Sequence, residues 1–245
     1  MFFTTLVWAA DTKTPEVVAA FIEAFKANDR SAISKMIIYP LRRDQPIPSI
    51  QTESEFISRF DQVFDAELVN IIVNSDNPTD SGNWKQLGSE DYIMLGPGTL
   101  WLNADGMVIA VNYESKSEKI IRNNLINKEK KSLHQSVAKF QKPVLEWETE
   151  GFHIRIDKMG DWDFRYASWS AKQSTSEEPD LILLNGKIAF QGSGGNHTYS
   201  FTNGDYVYKC YVWEIAETDS PGDLEVFKAG KLILSQPVIK AFNGN

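Results

Sequence analysis

Hydrophobic and polar positions follow two different periods along this chain, and the period changes near its middle. Apolar side chains recur at helical spacing in residues 15–27, which indicates a helix with one face on a core. A second short helix is predicted over 30–38. A third begins at the capping-box sequence Thr52-Glu-Ser-Glu55 and continues to residue 64. The stripe of the first helix consists of Val18, Phe21, Ile22 and Phe25.

Short strands follow these helices. Alternating apolar positions predict strands over 92–95, 99–103 and 107–113, with turns at Gly96-Pro97-Gly98 and Ala104-Asp105-Gly106. Helices that precede a meander of strands, in about 114 residues, are typical of an α+β domain. Residues 117–139 then predict a further helix with many basic side chains, which Pro143 ends.

The period is close to two from Val144 onward, with predicted strands over 144–150, 152–158 and 164–171. Three hairpins are then predicted, with loops Asn185-Gly186, Asn203-Gly204 and Ala229-Gly230, because Asn-Gly suits the positive φ of a two-residue turn. A loop at Asn203-Gly204 places Phe201 opposite Tyr206, Tyr199 opposite Tyr208, and His197 opposite Cys210. A loop at Asn185-Gly186 places Leu183 opposite Ile188. About eight short strands predict a small antiparallel barrel or sandwich.

Charge limits the classes of partner. The net charge of −8 argues against a nucleic-acid-binding protein, whose affinity depends on neutralised phosphates. The 29 residues 115–143 carry 8 basic and 2 acidic side chains and separate two acidic segments. One cysteine, Cys210, excludes an intramolecular disulfide. No apolar run approaches the ~20 residues of a membrane-spanning helix.

The first ten residues are apolar and precede a polar chain. Val7-Trp8-Ala9 places small residues at the −3 and −1 positions of a signal-peptidase site before Ala10. Residues 1–10 are therefore interpreted as the remnant of a secretion signal, which predicts a periplasmic or secreted protein. The alternative is a short buried N-terminal strand.

Candidate catalytic groups are few. The three histidines are His134, His153 and His197, so residues 1–133 contain none. Acid–base chemistry in the first domain would need Asp61, Asp65 or Asp91 with Tyr39, Tyr92 or Tyr113, and their spacing singles out no pair.

The predicted pairing of His197 with Cys210 has the residue types of an activated thiol. A small core residue is the preferred interpretation of Cys210, because it shares a strand face with aromatic side chains. No catalytic, cofactor-binding or metal-binding residue is assigned, and no cofactor is predicted.

A row of carboxylates is the most unusual local pattern. Glu146, Glu148 and Glu150 alternate along a predicted strand, so all three project from one face. One interpretation is a charged edge strand protected from aggregation. The other is a binding surface for a cationic protein or polymer, and these three glutamates are the predicted partner-binding residues.

The helices and strands of residues 11–114 resemble the nuclear-transport-factor-two-like superfamily, also called SnoaL-like or cystatin-like. The resemblance rests on the Val17–Phe25 helix, the helix that ends at Tyr39-Pro40, the third helix and the Gly98–Tyr113 hairpin. It implies a cone of helices and a bent sheet around a pocket. The β-domain faintly resembles periplasmic lysozyme inhibitors in its Trp- and Tyr-containing strands and its Gly192-Ser-Gly-Gly195 loop.

The predicted organisation is therefore a signal remnant at 1–10, an α+β domain at 11–114, a basic helical connector at 115–143 and an all-β domain at 144–245. Two functions are weighed. The first is a non-enzymatic binding or inhibitor protein of the cell envelope, of the immunity type, that acts through its acidic β-domain. The alternative is a small-molecule-binding or isomerase/hydratase-like protein that uses the N-terminal cone for a small apolar ligand. An open pocket with a polar floor would favour the alternative, and a cone filled by Phe and Trp would favour the first.

Overall fold

The computed structural model describes residues 13–75, 83–87, 92–192, 195–213 and 220–242. The chain divides into two compact units, Met1–Ile121 and Arg122–Asn245. The predicted signal remnant at 1–10 lies outside the described residues, as do Ser193 and Gly194 of the Gly192-Ser-Gly-Gly195 loop. Helices and antiparallel sheets are both present, which confirms the prediction of a mixed α and β fold.

Five helices and a four-stranded antiparallel sheet lie among the described residues of the first unit before residue 115. The helices are α1 (Lys13–Lys26), α2 (Arg30–Ser34), α3 (Glu53–Ser58), α4 (Phe60–Val63) and α5 (Ala66–Val73). The strands, in spatial order, are β1 (Trp84–Leu87), β2 (Tyr92–Leu95), β3 (Leu100–Asn103) and β4 (Val108–Val111). The sequence analysis missed β1, because its segment Trp84–Leu87 follows a polar stretch that predicts a loop.

Side-chain caps fix where these helices begin. The Thr52 hydroxyl accepts a hydrogen bond from Glu55 N at 3.2 Å, and Glu55 Oε2 accepts one from Gln51 N at 2.9 Å. The predicted cap at Thr52 is therefore confirmed, although the returning glutamate binds the residue before the cap. Asp65 Oδ1 caps α5 by accepting bonds from Glu67 N and Leu68 N, and α5 continues from there to Val73.

Aromatic rings fill the interior of the first unit. Phe56 and Phe60 lie edge to face at 5.7 Å, and Phe60 stacks on Phe64 at 5.4 Å. Phe21 meets Trp84 edge to face at 5.8 Å, and all of these rings are at most 3% exposed. Such contacts stabilise beyond the burial of apolar area alone, by about 0.5–1.5 kcal/mol for each pair.

The helix α6 (Lys116–Ser132) begins in the first unit and ends in the second. Its N-terminal turn is held by Ser115, whose hydroxyl accepts a bond from Glu118 N at 3.0 Å, and by a buried ion pair of Glu118 with Arg43. Its C-terminal half places Ile126 in an apolar cluster of the second unit, with Val137, Phe140 and Trp169.

The second unit contains one nine-stranded antiparallel sheet, in which all neighbours except β13 are consecutive along the chain. The strands are β5 (Lys142–Glu148), β6 (Phe152–Gly160), β7 (Asp163–Ser170), β8 (Leu181–Phe190), β9 (His197–Asn203), β10 (Tyr206–Val212), β11 (Gly222–Lys228), β12 (Lys231–Pro237) and β13 (Lys240–Ala241). The spatial order is β12-β11-β10-β9-β8-β7-β6-β5-β13.

The prediction of a hairpin at Asn185-Gly186 is wrong. Both residues lie inside β8, which pairs with β7 through its first half and with β9 through its second half. Asn185 has a φ of 60°. Two residues of β8, Leu184 and Asn185, lie opposite one residue of β7, so the strand forms a bulge here. A Cβ on Gly186 would lie 2.1 Å from the Phe201 ring, so glycine also provides the space for that ring.

The hairpin between β9 and β10 exists, but its predicted register is wrong. Its two loop residues are Gly204 and Asp205, one position later than predicted, so Tyr206 pairs with Asn203 and Tyr208 with Phe201. The same side chains still share a face, because the pairing shifts by two residues. The third hairpin is confirmed, with Lys228 opposite Lys231 and positive φ at Ala229 and Gly230.

The sheet curls into a half-barrel. The Thr149 hydroxyl, at the turn after β5, donates to Gln236 Oε1 of β12 at 2.8 Å. Val238 N then donates to Gly222 O, and Ile239 N donates to Glu148 O. The segment between β12 and β13 thus joins β11 to β5 and closes one end of the curl. The sequence did not decide between a barrel and a sandwich.

Candidate binding cavity and buried charge cluster

The neighbouring strands β6 and β7 bury side chains on both faces. One face carries the apolar core of the half-barrel, including Ile154, Ile156 and Tyr166. The opposite face carries Arg155, Asp157 and Arg165, which are at most 3% exposed. The sequence Ile154-Arg-Ile-Asp157 alternates as a half-exposed strand does, yet both of its faces are buried.

Asp157 joins the two arginines. Arg155 Nε and Nη2 donate to the two carboxylate oxygens of Asp157 at 3.0 and 2.6 Å, which is the bidentate geometry of a strong charged pair. Arg165 Nη2 also donates to Asp157 Oδ2. The three charged donors on this buried carboxylate offset part of the cost of removing the three ions from water.

Two backbone carbonyl groups of the segment after α6 bind Arg165, whose buried Nε has no hydrogen-bond partner among the described residues. Its Nη2 donates to Val137 O at 2.6 Å and its Nη1 donates to Lys139 O at 2.9 Å. The Arg155 guanidinium lies 4.8 Å from the centroid of the Phe140 ring. The segment that sequence patterning assigns to a connector therefore covers the charged face of the sheet.

Two glutamates occupy the rim of this cluster, and burial acts differently on each. Glu129 of α6 accepts a bond from Arg155 Nη1 at 2.5 Å, but burial raises the pKa of Glu129. Burial also opposes the charge of Glu146, whereas its bonds from His153 and Arg155 outweigh that effect and lower the pKa of Glu146. His153 Nε2 and Glu146 Oε1 lie 2.9 Å apart, and the His153 ring stacks on Phe242 at 5.0 Å.

The three predicted partner-binding glutamates are in different environments. Glu146 contacts Arg155 at 3.1 Å and its side chain is 16% exposed. Glu148 is half-buried and lies opposite Lys240 of β13 in the strand register, while Glu150 is exposed in the turn after β5. Residues 122–245 carry 15 basic and 16 acidic side chains, because the basic segment after residue 121 belongs to this unit.

A cavity of about 270 Å³ lies within the same unit. Aromatic side chains from β6, β7 and β10 form part of its wall, namely Phe152, Tyr166, Tyr206 and Tyr208. Aliphatic side chains form the rest, namely Leu181, Leu224, Val226, Ile233 and Leu234. Its size is near the lower end of the range for small-molecule sites, about 300–1,000 Å³, and its lining is mostly apolar, as in such sites.

Few polar groups line this cavity. Tyr166 is 1% exposed, and burial raises the pKa of its phenol, which a hydrogen bond from Ser168 partly offsets. Burial also raises the pKa of Tyr208, whose ring lies 5.8 Å from that of Tyr166. The carboxylate of Asp180 is exposed, and its Oδ2 accepts a bond from Ser170 N at 2.9 Å.

The acid–base candidates of the first unit have structural partners. Asp61 forms a bidentate pair with Arg30 at 2.7 and 2.9 Å, and Tyr39 donates to Ser34 O at 2.9 Å. Tyr113 donates to Asp65 at 3.1 Å, and burial together with this carboxylate raises the pKa of Tyr113 to about 12.

Asp65 also caps α5. Tyr113 lies two residues after the end of β4, so its contact with Asp65 joins that cap to the end of the sheet. Asp91 lies outside the described residues. Tyr92 is the first residue of β2 and is exposed.

The predicted pairing of His197 with Cys210 is wrong. Cys210 lies opposite Tyr199, and His197 lies opposite Val212. Cys210 is fully buried, which raises the pKa of its thiol, and it belongs to the apolar core as expected for a small core residue. His197 Nδ1 lies 2.8 Å from Gly195 O, and its ring packs on Phe190 and Tyr199.

Sequence reasoning found neither the charge cluster nor the cavity. Arg155 and Asp157 lie at alternate strand positions, and this pattern predicts exposure unless another segment covers that face. The signal that indicates the cluster has two parts. Arg155 and Asp157 are opposite charges two residues apart on β6, and Arg165 of β7 lies opposite Asp157. The cavity depends on how far the sheet curls, for which no single residue is diagnostic.

Neither a protein-family model, a curated protein nor a solved structure matches this chain. In the part of the chain that the structure describes, no group of three or more metal-ligating side chains occurs. No helix among the described residues is both long and apolar enough to cross a membrane.

Proposed function

We propose that this chain is a non-enzymatic binding protein of the cell envelope, of the inhibitor or immunity type, that acts through its β-rich second unit. The observation that carries the proposal is the cavity in that unit. Its aromatic and aliphatic lining suits an apolar group, while Asp180 and the tyrosine hydroxyls offer a few polar contacts.

The first unit supports this choice over the alternative. The interior of the predicted cone is filled by Phe21, Phe56, Phe60 and Trp84, which are at most 3% exposed. A filled interior favours a binding role elsewhere over a small apolar ligand in the cone. The resemblance of residues 11–114 to the nuclear-transport-factor-two-like superfamily remains a proposal about the origin of this unit.

A neutral environment-sensitive dye tests whether the cavity binds. Prodan fluorescence should increase and shift to shorter wavelength when the full chain is added, because the dye enters an apolar site. Ile233 lines the cavity and is 53% exposed, whereas Ile239 is 64% exposed and does not line it. Ile233→Glu should weaken dye binding several-fold, and the matched control Ile239→Glu should leave it unchanged.

Equal effects of these two substitutions would contradict binding at the cavity. Dye binding that both variants retain in full would point to another site, including the cone of the first unit. Both positions are exposed, so neither substitution is expected to change the free energy of unfolding by more than about 0.5 kcal/mol.

Export and the acidic face are separate parts of the proposal. The apolar residues before Ala10 support export, and N-terminal sequencing of protein made from the native gene tests it. For the acidic face, Glu148→Gln with Glu150→Gln leaves the Glu146 cluster intact. Slower association of a cationic protein at low salt would support this surface, because exposed charges mainly affect association rates.

A further inference from the structure

The lining of the cavity places one formal charge next to aromatic rings. Asp180 is the charged side chain among the residues that line it, and it is exposed. One carboxylate oxygen, Oδ2, accepts the bond from Ser170 N. A ligand that brings a positive group to this carboxylate would therefore gain an ion pair without breaking that bond.

The aromatic rings favour the same sign of charge. The faces of Tyr and Phe rings carry negative electrostatic potential and attract cations, by about 0.5–1 kcal/mol at exposed sites. The Lys228 ammonium already lies 5.1 Å from the Tyr206 ring centroid, so this ring is less available to a second cation. Tyr166 and Tyr208 add two neighbouring rings 5.8 Å apart.

The remaining wall suits an alkyl stem. Leu181, Leu224, Val226 and Leu234 offer aliphatic surface. A cavity of about 270 Å³ has room for a small amphiphile or one long side chain, and it is too small for a helix. The ligand that satisfies the wall, the rings and the carboxylate together has an unbranched apolar stem and a cationic end.

We infer that this cavity binds an alkylammonium group, with the stem against the aliphatic wall and the ammonium near Asp180 and the tyrosine rings. The inference rests on the proposed binding function of the second unit. The group has two chemical sources, a free amine or a lysine side chain of a cationic partner.

A series of three probes of equal length tests the sign of the charge. Isothermal titration of the full chain at low salt compares n-hexylammonium, 1-hexanol and hexanoate. Hexylammonium should bind about two- to fivefold more tightly than hexanol, in line with one exposed cation–π or ion-pair contact. Hexanoate should bind most weakly, and added salt should reduce the preference for the ammonium.

A substitution at the carboxylate gives the matched variant. Asp180→Asn retains an oxygen that can accept the bond from Ser170 N, and it should abolish most of the preference for hexylammonium over hexanol. Glu178→Gln removes an exposed carboxylate two residues away that does not line the cavity, and it should keep the preference.

The outcomes separate this inference from the proposed function. Equal binding of hexanol and hexylammonium overturns the alkylammonium inference and leaves a working cavity. Binding of none of the three probes, together with no binding of Prodan, overturns both.

A blocked peptide with one central lysine, compared with its acetyl-lysine form, then identifies the source. Charge-dependent binding of the lysine peptide supports a partner's side chain. Binding of hexylammonium alone supports a free amine.

Discussion

Six aromatic side chains pack ring against ring inside the first unit, whereas the half-barrel of the second unit contains a cavity lined by four. The first group comprises Phe21, Phe25, Phe56, Phe60, Phe64 and Trp84, with neighbouring centroids 4.9–6.1 Å apart. Short helices adjust to one another and bring the rings together, while a curled sheet fixes its strand spacing, and a cavity remains beside its apolar core. Filled and open interiors thus follow from the elements that enclose them.

The two units also differ in the number of charged side chains that they bury together. In the first unit Arg43 pairs with Glu118 and donates to the carbonyl groups of Val111 and Tyr113. In the second unit two arginines share Asp157, and Glu129 and Glu146 add further carboxylates. This larger cluster is covered by residues 122–141, so the sheet depends on a segment that precedes it in the chain.

The largest expected effect concerns that covering segment. A fragment of residues 122–245 should fold, whereas a fragment of residues 144–245 should not, because it exposes Trp169 and leaves Arg165 without the carbonyl groups of Val137 and Lys139. Circular dichroism and the dispersion of NMR signals would show the difference. A well-folded 144–245 fragment would contradict this role and would show that the sheet folds without the covering segment.

Asp157→Asn should have the next largest effect. The variant keeps the size of the side chain but presents an amide to two guanidinium groups, and removal of one member of a buried ion pair costs about 3–5 kcal/mol. Urea unfolding of the second unit measures the change. Glu129→Gln is the matched control at the rim, where the side chain is 20% exposed, and its cost should be smaller.

A smaller effect is expected at the bulge of β8. Gly186→Ala would place a methyl group 2.1 Å from the Phe201 ring, and overpacking of this kind costs about 1–3 kcal/mol. Gly160 is also in a strand of this unit, and a Cβ there meets nothing within 4 Å. Gly160→Ala should therefore be neutral within about 0.5 kcal/mol, and equal stabilities of the two variants would show that the ring moves freely.

Local signals in the sequence account for much of the fold. The stripe of α1, the cap at Thr52 and the turn at Ala229-Gly230 each follow from neighbouring residues, and the structure confirms them. Asn185-Gly186 carries as strong a turn signal as any in the chain, yet it forms a bulge. The local preference for positive φ is satisfied either way, and pairing with β7 and β9 decides between them.

The candidate site depends on contacts that the sequence does not reveal. Glu146 looks like one of three equivalent carboxylates, but Arg155 and His153 make it part of the interior. Arg155 is a neighbour only because β5 and β6 pair in one register. The cavity similarly requires residues 152 to 234 to surround one space, which depends on the curl of the whole sheet.

The last predicted effect is a difference in pH dependence between two glutamates of the charge cluster. The folded protein lowers the pKa of Glu146, so its ionised form contributes stability above the unfolded pKa of about 4.3, and this contribution is lost as the pH falls through the folded pKa. Wild type should exceed Glu146→Gln by about 2 kcal/mol at pH 7, the typical value of a hydrogen bond to a charged group, and the gap should shrink below about pH 5.

Glu129 should show the opposite slope. Burial raises its pKa in the folded protein, so stability linked to its protonated form is fully present below the unfolded pKa and is lost as the pH rises through the folded pKa. Relative to wild type, Glu129→Gln should therefore gain stability as the pH rises from about 4. Urea unfolding of both variants between pH 3 and pH 7 measures the slopes, and slopes of equal sign would show that the two carboxylates do not differ in environment as their contacts indicate. Opposite slopes would show that one cluster contains both a stabilising carboxylate, which Arg155 and His153 bind, and a carboxylate whose charge burial disfavours.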